Sequence, residues 1–337
     1  MTDILNALVL LTYFLFIPAL SYGSQLALGA LGVTLIFGIL RFANFAHGDL
    51  MAFGTMITIL LTWLLQSYGI SFGFLPTALL ALPFAIIITI IFSLLVDRYV
   101  FRFYRLKKSP PVTLAMVSIG VMFIMNAIVR IIIGPKDRRF FDGEKFIIKV
   151  KEFKNLTGLN EGLAIKSTQA ITVLITLFLV AILFWFLQRT RTGKSMRAFS
   201  DNEDLALLSG IDPDRVVLFT WLIVAALATT AGVLYGLDKS FKPFTYFSIL
   251  LPIFASAIVG GIGSPIGAVV GGYVIAFSEI MVTYAYKKFF IYLLPESLEP
   301  QGLVQLLSTD YKFAVSFSIL VIVLLVRPSG IFRGKTL

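Results

Sequence analysis

The residues of this sequence that could carry chemistry lie between or within strongly apolar runs. One short stretch between two such runs holds Asn44, His47 and Asp49, and His47 is the only histidine in the chain. A carboxyl group, Glu279, stands within a later apolar run. Polar groups at membrane depth are costly and usually face the protein interior or a water-filled path. We therefore take these four residues as candidates for a translocation path.

The stretch around His47 has two interpretations. It forms either a cytoplasmic turn or a break between helices inside a bundle, and Phe42 and Phe45 argue against a freely solvated turn. A lone histidine is typical of a structural hydrogen bond, and the same holds for Asn126 in another apolar run. A relay of protons or sodium ions through His47, Asp49 and Glu279 is the alternative use of these side chains.

Nucleotide hydrolysis, metal chemistry and thiol chemistry find no support in the sequence. Gly193-Lys194-Ser195 resembles the end of a phosphate-binding loop, but the glycine required five residues earlier is Gln188. With one histidine and no cysteine, a His/Cys metal cluster is excluded. No nucleophile and base stand out as a pair. We therefore expect a protein that is not an enzyme and has no metal or cofactor of its own.

Small residues form two neighbouring stripes in the second half of the chain. Gly263, Gly267 and Gly271 recur at every fourth position, and Gly260, Ser264, Ala268 and Gly272 repeat with the same step. Such stripes let other helices approach closely. The glycines either serve close packing alone or leave a bare backbone that lines the translocation path, and Pro265 is predicted to begin their helix.

The polar segment 188–215 interrupts the apolar second half, and its pattern predicts two short helices rather than a slack loop. The first covers Lys194–Phe199. A capping box at Ser200–Glu203 is predicted to start the second helix, and Gly210 suits its left-handed end. Asp212 followed by Pro213 fits the N-cap and first position of the next span.

Ordered helices at this place favour a docking surface for a partner at the membrane face, with Met196 and Phe199 predicted to be exposed. The residues assigned to the surface are Gly193, Met196, Arg197, Phe199, Asp201, Asn202, Leu205, Leu208 and Gly210. The alternative is a pair of helices lying on lipid headgroups, which the basic start of the segment favours. Its acidic second half, with Asp201, Glu203 and Asp204, argues against that alternative.

Composition sets the class of fold. Apolar residues make up 58% of the chain and the mean hydropathy is +0.94, beyond the roughly 45–50% apolar content of soluble domains. Apolar runs of near-membrane length without alternation predict an all-α, polytopic transmembrane bundle. The whole chain, 1–337, is expected to form one membrane domain, because no polar stretch is long enough for another. The start of the chain lacks a basic n-region, so we expect a retained span and no cleaved signal.

Ten apolar runs predict an even number of spans, ten if every run crosses and eight if two do not. Basic residues cluster at 98–108, at the start of segment 188–215 and after the last run, at Arg327, Arg333 and Lys335. The positive-inside rule places these ends in the cytoplasm, and an even count then places both termini there. The net charge of +10 thus reports orientation and not nucleic-acid binding.

Segment 134–167 is then external, and we expect it to cap the bundle where a soluble partner touches it. It carries many lysines, which counts against the positive-inside rule, but acidic residues accompany them. Its Phe146–Val150 stretch is predicted to pair as a small hairpin or to lie on the headgroups. A second external segment, 287–310, contains Pro295, Pro300 and Gly302, which would break a long helix.

Four ordered motifs resemble the permeases of branched-chain amino-acid ABC transporters. They are Gly29–Gly38 continuing into Asn44–Asp49, Ser109–Leu114 with Ser118-Ile119-Gly120, Gly193–Gly210, and Gly260–Gly267. The resemblance runs from about residue 20 to the C-terminus and is greatest to the shorter of the two paired permease subunits. The acidic residue after His47-Gly48 is often glutamate in the family, and Asp49 replaces it here.

The resemblance implies a type II ABC importer-like permease of eight to ten spans in the bacterial inner membrane. Its partners would be a second homologous permease subunit, two cytoplasmic ATP-binding subunits and a periplasmic or surface substrate-binding protein. Segment 188–215 would couple to an ATPase, and branched-chain amino acids would be the cargo. A urea or short-amide importer of the same architecture remains an alternative, and an ion-coupled secondary carrier is a third.

Overall fold

The computed structural model describes residues 2–295, 298 and 300–332. Within these residues, nine helices are long and apolar enough to cross a membrane, as expected for a polytopic α-helical bundle. Helices dominate because the bilayer core offers backbone polar groups no hydrogen-bond partner, and a helix satisfies them internally.

The elements follow one another in this order: α1 (Thr2–Leu11), α2 (Ile17–Leu40), α3 (His47–Ser67), α4 (Ala78–Val96), α5 (Arg102–Leu106), α6 (Pro111–Ile133), β1 (Phe146–Ile148), α7 (Val150–Thr157), β2 (Ile165–Lys166), α8 (Ser167–Arg189), α9 (Arg191–Asp201), α10 (Glu203–Leu208), α11 (Pro213–Lys239), α12 (Pro243–Gly260), α13 (Pro265–Thr283), α14 (Lys287–Leu293) and α15 (Lys312–Val326).

The predicted even number of spans was wrong, because the first two apolar runs form one helix. A π-helical turn at Thr12–Phe16 joins α1 to α2, so the helix is continuous from Thr2 to Leu40. Pro18 lies at the start of α2, where its missing N–H and its ring would disturb a regular helix. The wider turn directly before it accommodates the proline without ending the helix.

The two ends of the described chain consequently lie at opposite ends of the bundle, and the prediction that both termini share one side is corrected. The N–H of Glu161, in segment 134–167, donates to Asn6 Oδ1 over 3.1 Å. At the other end of the bundle, where α12 terminates, Ile331 N–H donates to Val259 O over 2.9 Å. Residues 333–337, with the basic Arg333 and Lys335, lie outside the described part.

Helix α2 is the centre of the bundle. Leu26, Leu31 and Ile36 point to different sides of this helix, and each is fully buried. A helix that is apolar all round is stable only when other elements surround it. Helices α11, α12 and α13 provide that surrounding layer.

The residues of the two small-residue stripes are divided between two helices, because Gly260 ends α12, Gly263 and Ser264 precede α13, and the stripe residues from Gly267 onward lie on α13. A Cβ at Gly267 would collide with the carbonyl of Gly260, and a Cβ at Gly271 would collide with the carbonyl of Ser256, both on α12. Gly272 instead lies against α2. Helix α13 thus approaches two neighbours at backbone distance, which supports the close-packing interpretation of the stripes.

A buried charge cluster fastens α4 and α5 to α11 at the end of the bundle that segment 188–215 occupies. A π-helical turn, Asp97–Phe101, joins α4 to α5. Asp97 accepts hydrogen bonds from both terminal nitrogens of Arg105 and from the indole of Trp221 on α11, the last at 2.8 Å. Arg102 of α5 and Asp214 of α11 form an ion pair with 3.2 Å between Nη2 and Oδ2, which links the same two helices. The basic cluster 98–108 and segment 188–215 therefore lie at the same end, as expected.

Segment 134–167 folds over the other end. Pairing of the Phe146–Val150 stretch is confirmed, since β1 pairs antiparallel with β2, although α7 lies between the two strands in place of a tight turn. Asp142 accepts hydrogen bonds from the Thr77 backbone and from Gln66, each at 2.8 Å. Partial burial alone would raise the pKa of Asp142, but these hydrogen bonds outweigh it and lower the pKa. The segment is thus fastened to the α3–α4 connection.

The contact between α12 and α13 yields a stability prediction. Gly271→Ala places a methyl group against the Ser256 carbonyl, so we expect a loss of about 1–3 kcal/mol, typical of overpacking. Gly120→Ala is the matched control, because a Cβ there meets nothing within 4 Å and alanine favours a helix. Thermal unfolding of the detergent-solubilised variants measures both effects. Equal melting temperatures for the two variants would contradict the close contact.

Candidate functional site

Segment 188–215 is an ordered surface element. Thr190 caps α9, because its Oγ1 accepts a hydrogen bond of 3.0 Å from the Gly193 backbone. Gly193 is required at that place, since a Cβ would collide with the Phe186 carbonyl at the end of α8. Helix α9 is therefore packed directly onto the C-terminal end of α8 and is longer than the predicted Lys194–Phe199.

The start of α10 differs from the prediction. Ser200 lies inside α9, and the N-cap is Asn202, whose Oδ1 accepts from Leu205 N–H over 3.1 Å. The predicted capping box at Ser200–Glu203 was therefore wrong, because the asparagine two positions later makes the competing bond. Gly210 has a φ of +78° and ends the helical turn, as expected. Asp212 caps α11 as predicted and accepts from Asp214 N–H over 2.9 Å.

The apolar side chains predicted to be exposed on α9 are buried, whereas those on α10 are exposed. Met196 and Phe199 are buried, at 1% and 4%, so their predicted exposure was wrong: amphipathic α9 turns its apolar side to its own bundle. Leu205 and Leu208 are 60% and 85% exposed, as predicted. The exposed residues at this end include Arg197, Asp201, Asn202, Glu203, Asp204, Leu205 and Leu208.

Helix α9 touches the core of the bundle through one strong hydrogen bond. Arg41, which ends α2 in the left-handed conformation with a φ of +58°, donates from Nη2 to the Ser200 carbonyl over 2.6 Å. A cavity of about 160 Å³ lies beside this bond, between α9, α2 and Gly263. Nothing in the sequence marks Arg41 except its position directly after an apolar run.

Residues 41–46 break the helices inside the bundle, so they are not a cytoplasmic turn. Asn44 is 3% exposed, and its Oδ1 accepts from Ala46 N–H over 3.1 Å. The N–H of Phe45 donates to Ser118 Oγ on α6 over 3.0 Å. The backbone groups that lose helical partners are thereby satisfied by side chains, as membrane depth requires. Ser118 was not singled out from the sequence, although it lies in a recognised motif.

His47 and Asp49 begin α3 and are fully buried. The imidazole lies against Gly32 of α2, where a Cβ would collide with the ring. Asp49 Oδ1 accepts from Asn126 Nδ2 of α6 over 2.8 Å, and its Oδ2 has no hydrogen-bond partner in the described part of the chain, while the imidazole lies beside the Gly29 backbone of α2. The break thus concentrates an imidazole and a carboxyl group, and the carboxyl group has unused hydrogen-bonding capacity.

The remaining candidates lie away from this centre. Glu279 of α13 is 1% exposed, lies toward the end that segment 134–167 covers and accepts a hydrogen bond from Ser316 of α15. Gly267 and Gly271 face α12, and Gly263 forms the turn before α13 with a φ of +86°. The structure therefore brings Asn44, His47 and Asp49 together and separates them from Glu279 and the glycines.

The family model and the related sequences identify the same family of proteins. The family model for the permease component of branched-chain amino acid transport systems matches residues 15–324. The chain is 31% identical to the high-affinity branched-chain amino acid transport permease LivH of Escherichia coli K12, covering 92% of this chain and 91% of LivH. It is 28% identical to BraD of Pseudomonas aeruginosa, covering 94% of each. Among solved structures, PsaBC from Streptococcus pneumoniae covers 98% of this chain at 11% identity, with a TM-score of 0.47.

The contact between His47 and α2 gives a rescue experiment. Gly32→Ala forces its methyl group into the imidazole, so we expect a loss of about 1–3 kcal/mol. His47→Ala in the same chain removes the ring, and the double variant should therefore melt at a higher temperature than Gly32→Ala alone. Thermal unfolding of the three purified variants tests this. Strictly additive losses would contradict the contact.

Proposed function

This chain belongs to the family of branched-chain amino acid transport permeases, and we propose that it is one of two membrane subunits of an ATP-driven importer of leucine, isoleucine and valine. The observation that carries the proposal is a match that extends through nearly all the membrane spans. The chain is a multi-pass protein of the cytoplasmic membrane. The energy for transport would come from two ATP-binding partner subunits.

The surface formed by α9 and α10 is the proposed contact with an ATP-binding subunit. Leu205 and Leu208 supply exposed apolar area, while Arg197, Glu203 and Asp204 surround it with charges of both signs. Exposed apolar residues ringed by polar ones are typical of protein interfaces. Helix α9 adds rigidity, because its buried Met196 and Phe199 fix it to the bundle.

A displacement of α9 would reach the proposed translocation path through one hydrogen bond. The Ser200 carbonyl accepts a hydrogen bond from Arg41, and Arg41 is the first residue of the break at residues 41–46. We propose Asn44, His47 and Asp49 as the polar centre of the path and Glu279 as an outer group. For Gly267 and Gly271 we propose that packing against α12 sets the geometry of the path, and for Gly263 that it forms a turn next to α9.

The second permease subunit would cover the side of the break. Phe45 is 36% exposed and lies 5.5 Å, between ring centroids, from Phe254 of α12, where Phe247 and Leu251 are also exposed. Irregular backbone does not face lipid within the hydrocarbon region and is tolerated against protein or a water-filled cavity. A homologous subunit at this face would meet that requirement and enclose the path between the two chains. The orientation that follows has segment 134–167 outside, where a substrate-binding protein would dock.

Transport by the assembled complex tests the proposal. Purified with its partner subunits and reconstituted in vesicles with the binding protein, the complex should concentrate radiolabelled leucine only when ATP is supplied. The chain alone should concentrate nothing, because it has no energy source. Accumulation of urea in place of leucine, or uptake driven by an ion gradient without ATP, would contradict the proposal and favour one of the alternative carriers.

The docking surface makes a separate prediction. Leu208→Asp places a charge in the proposed apolar contact, so the complex should lose stimulation of ATP hydrolysis by the loaded binding protein. The matched control is Leu156→Asp on α7, since Leu156 is also 85% exposed but lies at the opposite end. Both variants should fold, because neither side chain is buried. Full stimulation in the Leu208→Asp complex would exclude this contact.

A further inference from the structure

A cavity of about 720 Å³ opens at the outer end of this chain, apart from the polar centre at His47. Residues of α2, α8, α11, α13 and α15 line it, and the segment after α13 forms part of its rim. Its volume is several times that of a single amino acid, and it lies within one subunit. A solute arriving from the outer side would therefore meet this cavity before the centre of the membrane.

Three buried polar atoms of this cavity retain unused hydrogen-bonding capacity within the described residues. They are Asp238 Oδ1, Glu279 Oε2 and the oxygen of Tyr22, whose hydroxyl lies beside the Glu279 carboxyl and interacts with it. Glu279 is 1% exposed, and Ser316 occupies only its other carboxyl oxygen. A buried carboxyl oxygen without a partner is costly, so it persists where it has a use. Acceptors fixed in this way suit a cationic group such as an ammonium.

Lysine side chains lie beside these acceptors. Lys312 Nζ stands 5.6 Å from the centre of the Tyr22 ring, and Lys239 Nζ lies 3.5 Å from Asp238 Oδ2. Their ammonium groups suit a carboxylate. Phe14 and Ile280 contribute apolar wall between the charges. The cavity thus offers an acceptor for a cation, donors for an anion and an apolar surface within one space.

We propose that this cavity is an outer binding site for a zwitterionic amino acid with an aliphatic side chain, which rests on the proposed import function. The ammonium group of the solute binds Glu279 Oε2 and Tyr22, its carboxylate binds Lys312 or Lys239, and its side chain contacts the apolar wall. An anionic lipid headgroup would use the lysines but would be repelled by Glu279 and Asp238. The acidic pair therefore favours the amino acid over the lipid.

The absence of cysteine from the chain permits a direct test. Thr283 lines the cavity, so Thr283→Cys introduces a single reporter thiol, and Ser71→Cys between α3 and α4 is the control on the same outer side. The complete transporter in nanodiscs is treated with a maleimide, without binding protein, in the presence and absence of millimolar leucine. The labelling rate of this subunit is followed by mass spectrometry.

Leucine should slow labelling of Thr283→Cys several-fold and leave Ser71→Cys unchanged. Isocaproate lacks the amino group and isoamylamine lacks the carboxylate, so neither should protect at the same concentration. Glu279→Gln should abolish protection, whereas the exposed Glu144→Gln should retain it. Assembly with the partner subunits, judged by co-purification, verifies that each variant is folded.

Labelling that leucine does not slow, in a complex that does concentrate leucine, would overturn this site and leave the import function intact. Protection that survives Glu279→Gln, or that depends on anionic lipid and not on leucine, would also overturn it. A complex that transports no branched-chain amino acid would instead refute the import function itself. The two proposals therefore fail by different measurements.

Discussion

The constraint on which this structure depends is that backbone polar groups inside a membrane must find their partners within the protein. Uninterrupted helices satisfy it at no further cost, and most of the chain adopts them. The break at residues 41–46 is the informative exception, because each lost helical bond there requires a substitute. Asn44 and Ser118 supply two of these substitutes, and burial beside α2 excludes lipid from most of the break.

Maintaining that break imposes requirements on the neighbouring helices. His47 fits only because residue 32 has no side chain, and α2 is held at the centre by helices that approach it closely. Helix α13 achieves its approach with glycines, on one side to α12 and on the other to α2. The small residues thus serve the polar centre indirectly, since they set the distances between the helices that enclose it.

The same helices connect the two ends of the molecule. At one end, Arg41 joins helix α9 to the start of the break, and the cluster of Asp97, Arg105 and Trp221 fastens α4 to α11. At the other end, Glu279 joins α13 to α15 beside a large cavity. A displacement of α9 would therefore be transmitted through packed elements, whose close contacts favour movement as units.

The sequence by itself determined the class of fold, the position of most spans, the ordered segment 188–215 and the family. These follow from local properties: run length, hydropathy, helix-cap residues and ordered motifs. The number of spans could not be predicted from the sequence, because a π-helical turn keeps Pro18 within one long helix. No local sequence signal distinguishes such a continuous helix from two helices joined by a tight turn. The burial of Met196 and Phe199 depends on which helices are neighbours, and so do the contact of His47 with Gly32 and that of Asp49 with Asn126. That neighbourhood is a property of tertiary packing, since residues far apart in the chain decide it.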